Sequence, residues 1–311
     1  MEKFSREALW RVHIPLLIVQ VTFGSLPPFS KLALLYFPPM SVVFFRVIST
    51  AILFSIIFFI LKKEVIKERK HYWWFALFGL FGVAGNQLFY LKGVSITTAV
   101  NAGILVTTIP IFTLVAALLL KKEKLNFIKI LGVIVAFSGV AFLIDFGRFR
   151  LNENLLGDLF IITNSCCYAV YLVISKKMLR IYSAFTVITY VFIFSSFLIM
   201  PFTLPSLADI NFSSIPLDGY LALLMVLVAG TFIPYIVVTF ALQNTQSTSV
   251  AIYSYLQPII ATLLSIIILG ETITLKLLTA SAIIILGVSI VTFYEIFRFN
   301  KIINRIKGLI N

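Results

Sequence analysis

Residues 98–120, TAVNAGILVTTIPIFTLVAALLL, form a run of 23 residues without a charged side chain. About 20 helical residues cross the roughly 30 Å hydrocarbon core of a bilayer, and a helix satisfies its backbone hydrogen bonds internally. The stretch therefore predicts a transmembrane helix. The charged residues that follow, Lys121 to Lys124, place the end of this helix at a membrane surface.

Nine further stretches resemble this one in length and polarity, and short connections separate them. The ten predicted spans are residues 14–37, 40–61, 72–92, 98–120, 127–144, 157–176, 183–204, 218–241, 247–269 and 275–297. The composition agrees, because 60% of the residues are hydrophobic and 12% are charged, whereas a soluble domain carries roughly a quarter charged residues. The sequence predicts an all-α membrane protein with ten transmembrane helices.

The basic residues predict the orientation of these spans, because Lys and Arg are retained on the cytoplasmic side during insertion. With the N-terminus inside, 19 of the 25 basic residues are cytoplasmic, four are outside, and Lys31 and Arg46 lie within spans. Both termini are therefore predicted to be cytoplasmic. The basic residues form short, separate clusters, which favours anionic lipid headgroups as their partners and argues against nucleic acid.

The chain also contains an internal repeat, since residues 82–139, which include the whole of residues 98–120, match residues 230–287 at a constant offset of 148. Phe23-Gly24 resembles Tyr168-Ala169 at an offset of 145. Each half has five spans, an odd number, so the halves are expected to be oppositely oriented, as in many transporters. We expect two inverted five-helix repeats, residues 1–150 and 151–311. The pairs at the offset of 148 are Gly82 and Gly230, Pro110 and Pro258, Glu123 and Glu271, and Gly139 and Gly287.

Polar side chains inside the spans are candidates for function, because burying them unpaired in hydrocarbon is costly. Two interpretations stay open for them: hydrogen bonds between helices, or the lining of a substrate cavity. Helices 3, 4, 8 and 9 hold most of them, and the repeat adds an aromatic side chain in helices 1 and 6. The candidate substrate-binding residues are Phe23, Asn86, Gln87, Tyr90, Asn101, Tyr168, Tyr253 and Gln257.

Cations and helix-breaking residues inside the spans each have two interpretations as well. Lys31 and Arg46 either extend to the headgroups or form a cationic wall that recognises a substrate carboxylate. Pro110 and Pro258 each remove one helical hydrogen bond, which gives either a static kink or a hinge. Several glycines are expected to permit close helix contact instead: Gly82, Gly85, Gly103, Gly132 and Gly139.

The residues for several other chemistries are missing from the sequence. No Asp or Glu lies deep in a predicted span, and His13 and His71 lie at interfaces, which argues against a buried proton relay, a metal site and an intramembrane enzyme. There is no phosphate-binding loop for ATP, and no cofactor is expected. Glu123 and Glu271 follow spans and are expected to cap the helices that come next.

Taken in order, these motifs resemble the EamA-type members of the drug/metabolite transporter superfamily. The motifs are Phe23-Gly24-Ser25, Arg46, Phe89-Tyr90, Thr98-Ala99, Pro110, Lys122-Glu123-Lys124-Leu125, Gln257-Pro258, Leu269-Gly270-Glu271 and Leu286-Gly287. The resemblance implies a ten-helix carrier of the bacterial inner membrane. It also implies a central cavity lined by helices 1, 3, 4, 6, 8 and 9, and alternating access. The chain departs from the family at Phe23, where Trp is common, and at Pro27-Pro28.

The expected function is secondary transport of a small metabolite, such as an amino acid or a related amphipathic compound, in the direction of export. The alternative is a membrane sensor or assembly protein that transports nothing, which would not need matched polar faces in both halves. A homodimer is considered as the assembly, and the sequence does not decide the coupling ion.

Overall fold

The structure, a computed structural model, describes residues 2–97, 102–103, 105–123, 126–143, 155–260, 263, 275, 278–280, 282–291 and 293–294. All regular secondary structure in these ranges is helical. Six of the helices are long and apolar enough, by length and composition, to cross a membrane. The prediction of an all-helical membrane protein is therefore confirmed.

The helices are labelled in chain order by the bounds that the structure gives them. They are α1 Glu2–Ala33, α2 Pro39–Ile60, α3 Lys70–Ile96, α4 Val106–Leu119, α5 Phe127–Leu143, α6 Leu155–Ile174, α7 Ala184–Thr203, α8 Leu217–Asn244, α9, which begins as Ser247–Ala251 and continues as Ile252–Leu256, and α10 Leu278–Val291. The six long helices are α1, α2, α3, α6, α7 and α8, whereas α4, α5 and α10 are shorter apolar helices.

Two of the long helices contain a π-helical segment at matching places. In α3 it covers Leu80–Gly85, and in α8 it covers Val228–Phe232, so the two segments begin 148 residues apart. The 3₁₀ segments show the same relation, because Val106–Thr108 of α4 corresponds to the last three residues of Ile252–Leu256 in α9. The offset found in the sequence therefore recurs in the irregular backbone.

Most of the five glycines that the sequence assigned to close helix contacts do lie at such contacts. A Cβ atom at Gly82 would lie 2.5 Å from the ring of Tyr171 in α6, and one at Gly230 would lie 2.4 Å from Leu26 in α1. Gly103 is different, because a Cβ atom there would meet no atom of the described residues within 4 Å. The expectation of close contact at Gly103 is therefore wrong.

The turn between α4 and α5 contains a capping arrangement that the sequence did not indicate. Asn126 caps α5, since its Oδ1 accepts from the N–H groups of Ile128 at 2.9 Å and Lys129 at 3.3 Å. Glu123 instead accepts from the backbone N–H of Thr248 at 3.3 Å and from its hydroxyl at 2.8 Å. Glu123 thus caps the start of α9, a helix far away in the sequence, and not the helix that follows it. Glu271 lies outside the described residues.

Candidate functional site

A cavity opens between the helices at the level where the π-helical and 3₁₀ segments lie. Its wall comes from α1, α2, α3, α6, α8, α9 and α4 with the segment before it. The cavity has a volume of about 80 Å³, which is room for several water molecules. The polar side chains of the wall are Gln20, Arg46, Asn86, Tyr90, Asn164, Tyr168, Tyr235, Ser254 and Gln257.

Several of the residues predicted from the sequence lie in this wall, and others do not. Those in the wall are Phe23, Asn86, Tyr90, Tyr168, Gln257 and Arg46. Gln87 is buried elsewhere, since adjacent helical residues point about 100° apart and Asn86 takes the cavity side. Lys31 is partly exposed and does not line the cavity, and Asn101 lies outside the described residues.

Tyr253 also lies outside the wall. Its hydroxyl is 2.6 Å from Nδ1 of His13, a contact that joins α9 to α1. Gln257, one turn further along α9, both lines the cavity and donates from Nε2 to Oε1 of Gln20 at 3.0 Å. Asn164 of α6 likewise donates to the backbone carbonyl of Asn86 at 2.8 Å. Hydrogen bonding between helices and cavity lining therefore occur in the same residues.

Arg46 is buried against the π-helical segment of α8, with 2% of its surface exposed. Pro234 has no N–H group, so the carbonyl four residues earlier, that of Gly230, has no donor from the α-helical ladder. Arg46 Nη2 donates to this carbonyl at 3.0 Å, and Nε donates to Oγ1 of Thr231 at 2.8 Å. Arg46 therefore does not extend to the headgroups.

The matching carbonyl in α3 is that of Gly82, and it also accepts from a side chain of the other half. The Tyr235 hydroxyl lies 2.9 Å from the Gly82 oxygen and 3.0 Å from Oδ1 of Asn86. In α3 the N–H of Asn86 bonds the carbonyl of Val83, which leaves the Gly82 carbonyl open to Tyr235. Each π-helical segment is thus tied to the opposite half of the chain by a residue of the cavity wall.

Three buried polar groups of the wall have no hydrogen-bond partner in the described part of the chain. They are Nη1 of Arg46 and the hydroxyls of Tyr90 and Tyr168. The guanidinium carbon of Arg46 lies 5.9 Å from the ring centroid of Tyr90, which is a neutral neighbour. The described wall contains no Asp or Glu. Its formal charge is therefore positive, and Arg46 supplies it.

The prolines that were considered as hinges follow the 3₁₀ segments directly. Val106 O, the carbonyl that Pro110 would leave without a donor, accepts from the N–H of Ile109. Ser254 O, the corresponding carbonyl for Pro258, accepts from the N–H of Gln257. Each proline thus removes one α-helical hydrogen bond, but it leaves no free carbonyl, because a tighter turn supplies a donor in both places.

Sequence reasoning missed four polar residues of the wall: Gln20, Asn164, Tyr235 and Ser254. Two signals could have found the first three of them. Gln20 and Asn164 are amides within apolar spans, so the argument that selected Asn86 applies to them equally. Tyr235 stands 148 residues after Gln87 and follows a proline, so the repeat itself pointed to it.

Comparisons with known proteins agree with this arrangement. The model of the EamA-like transporter family matches residues 10–145 and again residues 155–293. An uncharacterized transporter of Archaeoglobus fulgidus is 29% identical over 263 residues, which cover 84% of this chain and 90% of the relative. The uncharacterized transporter YyaM of Bacillus subtilis is 23% identical over 281 residues, covering 89% and 92%. A solved crystal structure shares the fold, with a TM-score of 0.73 and 17% identity, over 91% of this chain and 98% of its own.

Proposed function

We propose, from the premise that this chain belongs to the EamA-like transporter family, that it is a secondary transporter which exports a small amphipathic metabolite, such as an amino acid or a related compound. The chain is an integral membrane protein with several apolar helices, and its relatives are transporters. The substrate crosses the membrane by alternating access through the cavity.

One observation carries the proposal: cavity-lining residues occur in pairs at the offset of the repeat. Four pairs are 148 residues apart and two are 145 apart. Two inverted five-helix halves, residues 1–150 and 151–311, would place such pairs around one shared axis, which is where transporters of this type bind their substrates. The pairs are Tyr90 and Val238, Gly103 and Ala251, Val106 and Ser254, Ile109 and Gln257, Phe23 and Tyr168, and Pro27 and Leu172.

The two ends of the bundle supply contacts that an alternating movement would break in turn. On the side predicted to be cytoplasmic, the buried Lys129 lies 3.5 Å from Glu123, which also binds Thr248 of α9. On the opposite side, the hydroxyl of Thr97 donates to the buried carboxylate of Asp158 at 2.5 Å. Opening one side would separate one set while the other stays closed.

Counterflow into proteoliposomes tests the proposal. Vesicles preloaded with an unlabelled compound should accumulate its labelled form faster than empty vesicles do, for at least one member of a panel of amino acids and their deaminated acids. The proposal fails if folded wild-type protein exchanges none of them. Binding without exchange would favour the sensor.

A matched pair of variants links exchange to the cavity. Gly103→Leu should block exchange and leave the melting temperature nearly unchanged, because a Cβ atom there meets open space. Val115→Leu, on the exposed face of α4, is the control and should exchange normally. Exchange at the wild-type rate by Gly103→Leu would show that the substrate takes another route.

A further inference from the structure

The guanidinium of Arg46 has donors that the protein does not use. Arginine carries five N–H donors, and two of them bind Thr231 and Gly230. Three therefore remain, two of them on Nη1, which has no partner among the described residues. The occupied donors hold the plane of the guanidinium in place, so the remaining ones are oriented before any ligand arrives.

The described residues around Arg46 do not neutralise its charge. Its close neighbours are a hydroxyl, a carbonyl and the ring of Tyr90, all neutral. A buried cation without a counter-ion is strongly unfavourable in a medium of low dielectric constant. Such a group is an anchor for a ligand that brings one negative charge, because the ligand removes this penalty when it binds.

The rest of the wall gives no matching site for a positive charge. It contains no Asp or Glu in the described part of the chain. Aliphatic side chains, Leu26, Val106, Ile109, Leu172 and Val238, cover much of it. The wall can therefore enclose an apolar group, but it offers an ammonium group only neutral acceptors, which compensate poorly for the water that it loses.

We propose that the substrate is an organic carboxylate with a single negative charge and an apolar body, and that its carboxylate binds the free N–H groups of Arg46. This inference rests on the transport function proposed above and makes it narrower. The amino group of an amino acid is not required, so a deaminated acid should bind at least as well as the amino acid from which it derives. A dianion would leave one charge uncompensated in the cavity and should bind more weakly than a monoanion.

Matched triplets of ligands test this on the purified full chain in nanodiscs. Each triplet shares one side group, as do 4-methylpentanoate, leucine and isopentylamine, and equivalent sets are made with phenyl and methyl groups. Binding is measured as the ligand-dependent rise of the melting temperature. Within at least one triplet, we expect the carboxylate to bind as tightly as the amino acid or more tightly, and the amine to bind at least about tenfold more weakly.

Three variants separate recognition of the charge from the support that Arg46 gives to α8. Arg46→Gln should weaken carboxylate binding about tenfold or more and remove the preference over the amine. Thr231→Val removes the acceptor of Nε but keeps the cation, so it should keep the preference. Lys31→Gln removes a cation that lies outside the cavity wall and should change nothing.

Several results would overturn the inference. They are tight binding of the amines, no binding of any carboxylate, an unchanged preference in Arg46→Gln, and loss of the preference in Thr231→Val to the same extent as in Arg46→Gln. Counterflow of a compound without a carboxylate would leave the transport function standing and remove only this inference. Carboxylate binding without counterflow of any compound would support the recognition of the carboxylate and contradict the transport function.

Discussion

The carbonyls of Gly82 and Gly230 occupy matching places in the two halves, yet they accept from different kinds of donor. Gly82 receives the neutral hydroxyl of Tyr235, and Gly230 receives the charged guanidinium of Arg46. The backbone arrangement is similar on both sides, whereas the chemistry is not. The difference teaches that two segments with a matching backbone can differ in charge, because the charge of the described wall comes from Arg46 alone.

The two carbonyls are also made available in different ways. In α8 the residue four positions after Gly230 is Pro234, which lacks an N–H group. In α3 the residue at the same position is Asn86, whose N–H bonds the carbonyl of Val83 instead. The Gly230 carbonyl is therefore available because of a proline, whereas the Gly82 carbonyl is available because the backbone hydrogen bonds of α3 shift locally.

The largest difference between the halves is expected when the two donors are removed. Arg46→Gln should lower counterflow about tenfold or more, because it removes the only charge of the described wall. Tyr235→Phe should lower it only a few-fold, since it removes one neutral hydrogen bond. Counterflow into proteoliposomes compares the two, and equal losses would contradict the distinction between charge and support.

The next difference concerns the glycines. Gly82→Ala should lower the free energy of unfolding by about 1–3 kcal/mol, because the new methyl group would lie 2.5 Å from the rigid ring of Tyr171. Gly230→Ala should cost less, since it meets the end of the flexible side chain of Leu26. Thermal unfolding of both variants measures this, and the reverse order would mean that α6 adapts more easily than α1.

The prolines test whether the two halves move alike. Pro110→Ala and Pro258→Ala each introduce an N–H that competes for a carbonyl now bound in a 3₁₀ turn, which favours a regular α-helix. If these turns act as hinges, each variant should still bind substrate but exchange it a few-fold more slowly, and to a similar extent. Counterflow at the wild-type rate by a folded double variant would show that the 3₁₀ turns only shape the packing and do not act as hinges.

The smallest difference lies at the membrane surface. Glu64, in the connection between α2 and α3, accepts from the N–H of Ser183 at 2.7 Å, whereas the second half has Phe212 at the offset of 148. The loss of some hydration raises the pKa of this exposed carboxyl, but the hydrogen bonds from Ser183 and Thr186 outweigh that effect, and the pKa of Glu64 lies below its usual value.

A lowered pKa in the folded state stabilises the protein above the unfolded pKa of about 4.3, and the stabilisation is lost as the pH falls through the folded value. Glu64 is exposed, so Glu64→Gln should lower the melting temperature by only about 1 °C at pH 7. The difference from the wild type should shrink as the pH falls below the unfolded pKa of about 4.3, and it should vanish once the pH is below the folded pKa. Melting curves across this range test it, and a difference that persists in acid would assign the effect to packing.

Much of the fold could be predicted because hydropathy and helix length are linked by the thickness of the bilayer. The ends of α2 and α7 lie within one residue of the predicted spans 40–61 and 183–204. The start of α1 could not be found in this way, since the helix continues into the charged tail as far as Glu2, where composition gives no signal for its end.

The candidate site was harder to predict, because it depends on which face of each helix turns inward. Asn86 and Gln87 are equally polar, and only the packed structure decides that Asn86 takes the cavity side. Gly103 looked like a packing glycine because glycines inside membrane spans often lie at helix contacts. The open space beside it depends on where the other helices pack, which the local sequence does not indicate. Glu123 and Thr248 are 125 residues apart, so no local pattern could have paired them.

The π-helical segment at Leu80–Gly85 can also be regarded as a change of phase along α3. A wider turn contains an additional residue, and each residue of an α-helix corresponds to about 100° of rotation. Deleting one residue here would restore a regular ladder and turn the part of the helix beyond it by about that angle. Asn86 and Tyr90 would then leave the cavity, while the apolar character of the helix, and with it its insertion into the membrane, would hardly change. A change in length at this place would therefore alter which side chains line the cavity through rotation alone, without a substitution at any residue of its wall.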